Sequence, residues 1–229
     1  MGIASGQNTT LYIQEEGTYG NTATGNYTQF PFKSVSLTLA KTNHESMVIT
    51  GSREVHDVIM GSHSVSGDIS FDLAHQAAYI EAISAVLGDT SASSGAYSVG
   101  SERNSYSISK SFEADLAGSD DVHFFKGCEF NSFSLTIPAD GLLECSLGVV
   151  GSTMETLDSE TLGSKEDYTP ANNPFHSSQV SITEGGSGST IITDLSLSID
   201  NGIATTNRIG ALEPIQGGIS KCRVTGSLT

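Results

Sequence analysis

The sequence predicts a mainly β protein of short strands and turns, with one α-helix packed on a sheet face. Among 229 residues there are 25 glycines, no tryptophan and only five prolines, a composition that favours strands and turns over helices. Several segments alternate apolar and hydroxyl-bearing residues, which is the period of a strand with one apolar and one polar face. Only one segment has clear helical spacing.

The predicted strands follow that alternation. In Ser34–Leu39 the apolar side chains Val35, Leu37 and Leu39 alternate with hydroxyls, and the runs at 132–137 and 194–199 repeat the pattern. The predicted strands are Ser34–Leu39, Val65–Leu73, Ser105–Phe112, His123–Phe130, Ser132–Ile137, Leu142–Val150 and Asp194–Ile199.

The predicted helix is His75–Leu87. Tyr79, Ile80, Ile83 and Leu87 share one face at helical spacing. Gly88 follows where a glycine cap ends a helix. A single amphipathic helix among strands is expected to cover an open sheet face.

Charge and cysteine usage exclude several function classes. The net charge is −16, from 26 carboxylates against 10 Lys and Arg, so the surface repels phosphate and ordinary DNA binding is not expected. Three cysteines without a CxxC pair indicate reduced, mostly buried thiols in a cytosolic setting. The first residues lack the pattern of a signal peptide, and no apolar run approaches the length of a membrane helix.

No residue pattern indicates a catalytic site, a cofactor or a metal. His44, His56 and His63 lie near carboxylates and are conceivable metal ligands, but no HxH or HExxH spacing places two of them together. We interpret them as surface histidines. The glycine-rich segment 184–190 lacks the lysine of a nucleotide-binding loop, so we interpret it as a hairpin tip.

An internal echo predicts the domain organisation. Val35–Leu39 is followed by Val65–Ser70 much as Leu195–Ile199 is followed by Val224–Thr229, at nearly equal separations. This favours a duplication, with an N-terminal extended or mobile arm at 1–27, a first domain at 28–151, a linker or arm at 152–178 and the start of a second, incomplete domain at 179–229. We therefore expect the chain to be incomplete at its C-terminus, with unpaired strand edges in the second half.

The long excursion Ala40–Ser64 between two predicted strands is the candidate interaction site. Loops of this length inside a compact domain are uncommon and usually functional. Its mixture of charged and apolar side chains suits an arm that docks on a neighbouring subunit, although a hairpin folded back on its own domain remains an alternative. The candidate contact residues are Lys41, Glu45, Met47, Ile49, Arg53, Glu54, Asp57 and Ile59.

An ordered set of short motifs resembles a family of phage tail tube proteins over nearly the whole chain. Glu16–Gly20 is similar to the E-x-x-Y-G opening of that family. A long loop containing Ile49–Arg53, the strand Val65–Ile69, the lone helix, Phe125–Cys128 and Leu197–Ile203 follow in the family's order. No single motif is specific, and the resemblance rests on their order.

The resemblance implies a two-sheet β-sandwich or barrel with one flanking helix, and a structural rather than enzymatic role. Subunits of the family join sheet to sheet in rings, and the rings stack into a hollow tube through which DNA passes without specific binding. The rings are trimers of two-domain chains or hexamers of one-domain chains, and the echo favours trimers. If the chain is incomplete, it is not expected to close rings by itself.

Further expectations follow from the same resemblance. The expected partners are other copies of the chain, the tape measure protein and the terminator protein, and no membrane is involved. The expected location is the virion tail, after assembly in the host cytoplasm. The polar strand face of Ser34, Ser36 and Thr38 is the candidate lumen surface, and excess carboxylate would keep the lumen from holding DNA. The alternatives are the tube of a contractile injection or secretion device and a carbohydrate-binding, adhesin-like β-sandwich.

Overall fold

A computed structural model describes residues 4–49, 51, 57–89, 97–114, 121–157, 164–168, 173–184, 187–188 and 192–229. One helix, α1 (Ala77–Leu87), and one 3-10 turn (Ser177–Gln179) occur among them. The strands are β1 Ala4–Glu15, β2 Tyr27–Gln29, β3 Ser34–Val35, β4 Thr38–Glu45, β5 Val58–Asp72, β6 Tyr106–Ala114, β7 Asp121–Ile137, β8 Glu144–Gly151, β9 Thr153–Leu157, β10 Lys165–Glu166, β11 Thr183–Glu184, β12 Ser187–Gly188, β13 Leu195–Asp200 and β14 Arg223–Leu228.

All strands except the short pair β11 and β12 belong to a 12-stranded sheet that β7 divides into two portions. The first part of β7 pairs with β6 and β9; from Glu129 onwards β7 pairs with β8, and from Ser132 onwards also with β13. We call β4-β5-β8-β7-β13-β14, with β3 beside β5, the polar sheet. The portion β10-β2-β1-β6-β7-β9 is the back sheet. The pairings within both portions are antiparallel except between β10 and β2.

Side chains from both portions pack in one core, which confirms the expected two-sheet β architecture. Leu11 and Ile13 of β1 and Ile108 of β6 meet Ile69 of β5 and Leu147 of β8, and all are fully buried. Apolar burial of this kind is the main favourable contribution to folding. It also fixes which face of the polar sheet points inward.

An aromatic cluster joins the helix to that core. The ring centroids of Phe71 and Tyr79 lie 4.3 Å apart, and those of Phe30 and Tyr79 lie 4.9 Å apart. The Tyr79 hydroxyl donates to the Pro31 carbonyl at 2.8 Å, so its polar end is satisfied where the ring is buried. The helix therefore covers the core end of β5, as expected of a lone helix.

The existence of the helix and its C-terminal cap are confirmed, but the buried face is partly different from the prediction. Gly88 adopts φ 67, and its N–H bonds to a carbonyl of the last turn. The buried side chains are Ala78, Tyr79, Ala82 and Val86. Small alanines let the helix axis approach the sheet closely, and the bulkier Ile83 and Leu87 pack at the margin of the core.

Two predicted strand boundaries are wrong. The segment Ser34–Leu39 is interrupted, because Gly67 on β5 has φ 154 and lies so close that an added Cβ would be 2.6 Å from the Ser36 carbonyl oxygen. Only glycine accepts this conformation and this approach. The strands predicted on either side of Asn131 are one strand, β7, with a register shift between Phe130 and Ser132.

The segments predicted as an arm and as a second domain both pair with the rest of the sheet. Residues 4–15 form β1, which lies between β2 and β6. β13 pairs with β7 on one side and β14 on the other, whereas β14 has β13 as its partner. The division of the chain into domains stays a prediction, but β13 and β14 are hydrogen-bonded parts of the polar sheet.

Candidate assembly surfaces

The outward face of the polar sheet carries a row of hydroxyl groups. Because directly paired residues of antiparallel strands point to the same face, the register places one hydroxyl per strand side by side. The row crosses from β3 to β14 through directly paired residues: Ser34, Ser70, Ser146, Ser134, Ser198 and Thr225. The opposite faces of β5, β7, β8 and β13 carry buried apolar residues, whereas the apolar side chains of β14 are exposed.

Charged groups flank that row, and carboxylates predominate among them. Asp68 and Asp200 lie in the next paired row, with Arg223 opposite Asp200. At the other side of the row, Lys33 bonds to Glu144 at 2.7 Å and to Asp72 at 3.2 Å. These bonds raise the pKa of the exposed Lys33 amine, the bond to Glu144 most. The outward face of the polar sheet is therefore polar, and its strands carry more carboxylates than cations.

The candidate lumen residues Ser34, Ser36 and Thr38 are all exposed on this outward face. Ser36 accepts a hydrogen bond from the Asp68 N–H at 2.8 Å and donates to the Asp68 carbonyl at 3.3 Å, which closes the gap between β3 and β4. Their contact with a lumen stays a prediction.

One edge of the polar sheet is β14, and its free backbone groups can be assigned. Thr229 exchanges backbone hydrogen bonds with Asp194, and the ladder from there to Arg223 has no register shift. In an antiparallel ladder inward and outward groups alternate. The N–H groups of Val224, Gly226 and Leu228 therefore point away from β13, and the side chains of Val224 and Leu228 are 53% and 61% exposed.

The predicted inter-subunit arm is a projecting β-hairpin made by β4 and the first part of β5. Pairing runs from Thr38↔Ser66 out to Glu45↔Val58, with a register shift after Lys41. Met47 and Ile49 are 91% and 95% exposed, so the described tip does not fold back on its own domain. Lys41, Glu45, Asp57 and Ile59 are exposed as well. Arg53 and Glu54 lie outside the described residues.

A buried carboxylate holds the turn after β1. Glu16 is 6% exposed, and its oxygens accept from the Gly20 N–H at 2.8 Å and the Gly127 N–H at 2.9 Å. They also accept from the hydroxyls of Ser105 at 2.8 Å and Ser107 at 2.9 Å. Four donors satisfy a group that is costly to bury alone.

Packing around Gly127 completes this cluster. Gly127 has φ 63, and an added Cβ would lie 2.8 Å from the Ser152 Cβ and 3.1 Å from the Tyr19 ring. Burial, followed by nearby Glu129, raises the pKa of Tyr19 to about 12. The motif residues Glu16, Tyr19 and Gly20 therefore meet the glycine of the Phe125–Cys128 motif. The two motifs were visible in the sequence, but their contact was not.

The segment between β13 and β14, residues 201–222, is a long loop anchored by a buried ion pair that sequence reasoning missed. Arg103 Nη2 bonds to Glu129 Oε2 at 2.7 Å, and Glu129 is 4% exposed. Gln216 donates to the other oxygen of Glu129 at 2.8 Å, and Arg103 donates to the Gly217 carbonyl at 2.6 Å. Removing one partner of such a pair leaves an uncompensated charge, so the pair fixes this β13–β14 loop to the body.

The same loop reaches the base of the hairpin. The His63 N–H donates to the Leu212 carbonyl at 3.1 Å, and the Asn207 amide donates to the Ser62 hydroxyl at 3.1 Å. The loop tip exposes Ile209 fully and Leu212 at 46%. The hairpin and the loop therefore present apolar side chains from one end of the subunit.

The largest surface features of the described residues are the sheet face, the β14 edge, the hairpin and the β13–β14 loop. A cavity of about 260 Å³ beside the C-terminus of α1 is lined by Arg103, Glu129 and Cys222, among others, and the first two already hold the β13–β14 loop. Across the described ranges no group of three or more metal-ligating side chains comes together. No helix of the described chain is long and apolar enough to cross a membrane.

The chain belongs to the phage tail tube protein family, whose pattern matches residues 6–229. Members of this family are structural components of the phage tail, as the resemblance in the sequence implied. No curated protein matches the sequence.

Two solved structures are partly similar to this chain. The SPP1 tail tube, determined by solid-state NMR and cryo-EM, has a TM-score of 0.47 and 14% identity, covering 69% of this chain and 80% of that one. The 6-fold symmetrised baseplate of the anti-feeding prophage includes a chain with a TM-score of 0.41 and 10% identity, covering 70% of this chain and 99% of that one.

Proposed function

We propose that copies of this chain join through the edges of their polar sheets to form rings, and that the rings stack into the tube of a phage tail. The observation that carries the proposal is the hydroxyl row, which runs from one edge of the polar sheet to the other. Joining β14 of one copy to the edge formed by β3 and β4 of the next would continue the row around a ring through Ser34 and pair edges that are otherwise exposed.

In this arrangement the outward face of the polar sheet lines the lumen, with Ser34, Ser36 and Thr38 on it. Hydroxyls keep the surface wet, and Asp68 and Asp200 on the same face repel phosphate. Such a lumen offers a DNA duplex few Lys or Arg side chains that could displace the counterions of its phosphates. DNA would therefore pass without being held.

The hairpin is proposed as the arm that contacts a neighbouring copy. Met47, Ile49 and Ile59 are exposed on a projecting ladder, and exposed apolar side chains of this density mark interaction sites. Lys41, Glu45 and Asp57 would set the register of the contact, as charged groups at an interface rim do. Arg53 and Glu54 belong to the same proposal by sequence alone.

The remaining assignments follow from family membership and stay proposals. They are the absence of catalysis, assembly in the host cytoplasm, ring symmetry as trimer or hexamer, and contacts with the tape measure and terminator proteins. Subunit stoichiometry would decide between three and six copies per ring.

The test is electron microscopy and light scattering of the purified chain over a concentration series, with Val224→Pro as the edge variant. Proline at this position removes an outward N–H and leaves the ladder to β13 intact, so the fold is retained while edge pairing is blocked. Val224→Thr is the matched control. Rings or tubes from the wild type and the control, and none from Val224→Pro, support the proposal. Equal assembly by all three contradicts edge pairing, and no assembly by the wild type at any concentration contradicts ring formation by this chain alone.

A further inference from the structure

A shallow, open groove lies at the end of the polar sheet opposite the hairpin, and its lining mixes apolar side chains with Ser177, Thr193 and Asp194. It has a volume of about 140 Å³ and is lined by Ile137, Pro138, Val180, Ile182, Ile192 and Leu195, among others. The groove thus has room for one aliphatic side chain.

The groove and the β13–β14 loop lie at opposite ends of the same strand. β13 begins at Leu195, which lines the groove, and ends at Asp200, where the loop begins. At ~3.4 Å per residue the two ends are about 17 Å apart. A protruding tip at one end and a recess at the other allow identical copies to dock head to tail, an open contact that continues rather than closes.

The charges of the loop tip and of the groove are also complementary. The tip carries Arg208 beside Ile209, and no ion pair of Arg208 occurs within the described residues. Asp194 lines the groove, and Asp140 follows the lining residue Ala139 in sequence. The Asp140 side chain is 95% exposed and lies 3.4 Å from His176 Nε2. An arginine that approaches this end beside an aliphatic side chain therefore meets two carboxylates and the apolar side chains of the groove.

We propose that the tip of the β13–β14 loop docks in this groove of a second copy in the adjoining ring, with Ile209 in the recess and Arg208 beside Asp140. The contact is continuous with the hairpin arm, because Leu212 and Asn207 of the loop are hydrogen-bonded to His63 and Ser62 at the hairpin base. This inference rests on the proposed stacking of rings and adds a second pair of complementary surfaces to it.

A cysteine crosslink tests the contact directly in assembled tubes. Ile209→Cys and Ala139→Cys are combined in a Cys222→Ser background; Cys128 and Cys145 are buried, which raises the pKa of both thiols and keeps them unreactive. Oxidation is expected to give a ladder of covalent multimers, because each chain carries one tip and one groove. Ile209→Cys paired with Gly17→Cys, an exposed position with open space, is the control and should give no ladder.

The outcomes separate this inference from the proposed function. Tubes that form normally but give no ladder with the Ile209–Ala139 pair overturn the docking and leave the tube function standing. Failure of the wild type to assemble at all overturns both.

A charge exchange provides a second measurement. Arg208→Asp should raise the concentration needed for assembly several-fold, and adding Asp140→Lys should restore it. A double variant that assembles worse than Arg208→Asp overturns the pairing of these two ends.

Discussion

Oε1 of Glu16 accepts a hydrogen bond from the backbone N–H of Gly127 at 2.9 Å, across 111 positions of sequence. This contact ties the end of β1 to the middle of β7, the strand that both sheet portions share. The two glycines that donate to Glu16 have positive φ, 76 at Gly20 and 63 at Gly127. The carboxylate thus stabilises two tight backbone conformations at once.

Glu16→Gln is expected to destabilise the protein by about 2 kcal/mol, since a buried amide has one acceptor oxygen for the donors that two carboxylate oxygens satisfy. Chemical denaturation measures the free energy of unfolding. Glu45→Gln, on the exposed part of the hairpin, is the control and should change it little. Equal stability of both variants and the wild type would mean that water replaces the Glu16 contacts.

The carboxyl of Glu81 on α1 predicts a pH dependence of stability. Burial, followed by the nearby Glu15 charge, raises the pKa of Glu81 to about 7. In the unfolded chain the group ionises near its ordinary value of 4.5, so between these two pH values the folded state holds a proton that the unfolded state has lost. Stability therefore falls as pH rises from about 4.5 to about 7, by on the order of 2 kcal/mol.

Glu81→Gln should remove that slope, because glutamine does not titrate. The measurement is the free energy of unfolding of both proteins between pH 4.5 and pH 8, where the variant is expected to be the more stable at the upper end. Parallel pH profiles for the two proteins would show that Glu81 ionises normally in the folded state.

The hairpin tip is expected to serve assembly and not stability. Ile49→Asp should leave the free energy of unfolding within ~0.5 kcal/mol of the wild type, because the side chain is 95% exposed. Loss of its burial in a neighbouring copy should raise the critical concentration for tubes at least about tenfold. Asn43→Asp adds the same charge on the same hairpin as a control. Unchanged assembly by Ile49→Asp would contradict a docking role for the tip.

The acidic, hydroxyl-rich face is expected not to hold duplex DNA at physiological salt. Asp68→Lys combined with Ser198→Lys places two cations on that face and should produce weak binding that salt weakens further, with a logarithmic slope of about −0.9 for each phosphate neutralised. The matched control is Asp68→Asn with Ser198→Asn. Filter binding is the assay, and micromolar, salt-sensitive binding by the wild type would contradict an inert lumen.

The sequence by itself determined the local structure. Alternation of apolar residues with Ser and Thr predicted β13 and parts of β5, β7 and β8, and spacing with Gly88 predicted α1 and its end, because both signals arise within a few neighbouring residues. The excess of carboxylates predicts a surface that does not hold nucleic acid, which the binding assay above tests. The ordered motifs were sufficient to indicate the family.

Only the tertiary structure decided which segments become partners. Nothing local to Leu195–Asp200 shows that it pairs with β7, nor that Glu16 meets Gly127, since these contacts depend on how distant parts of the chain pack together. The small residues of α1 likewise bury against a sheet surface that its own sequence does not contain. Strand period is a property of one segment, whereas edge, partner and exposure are properties of the assembled sheet.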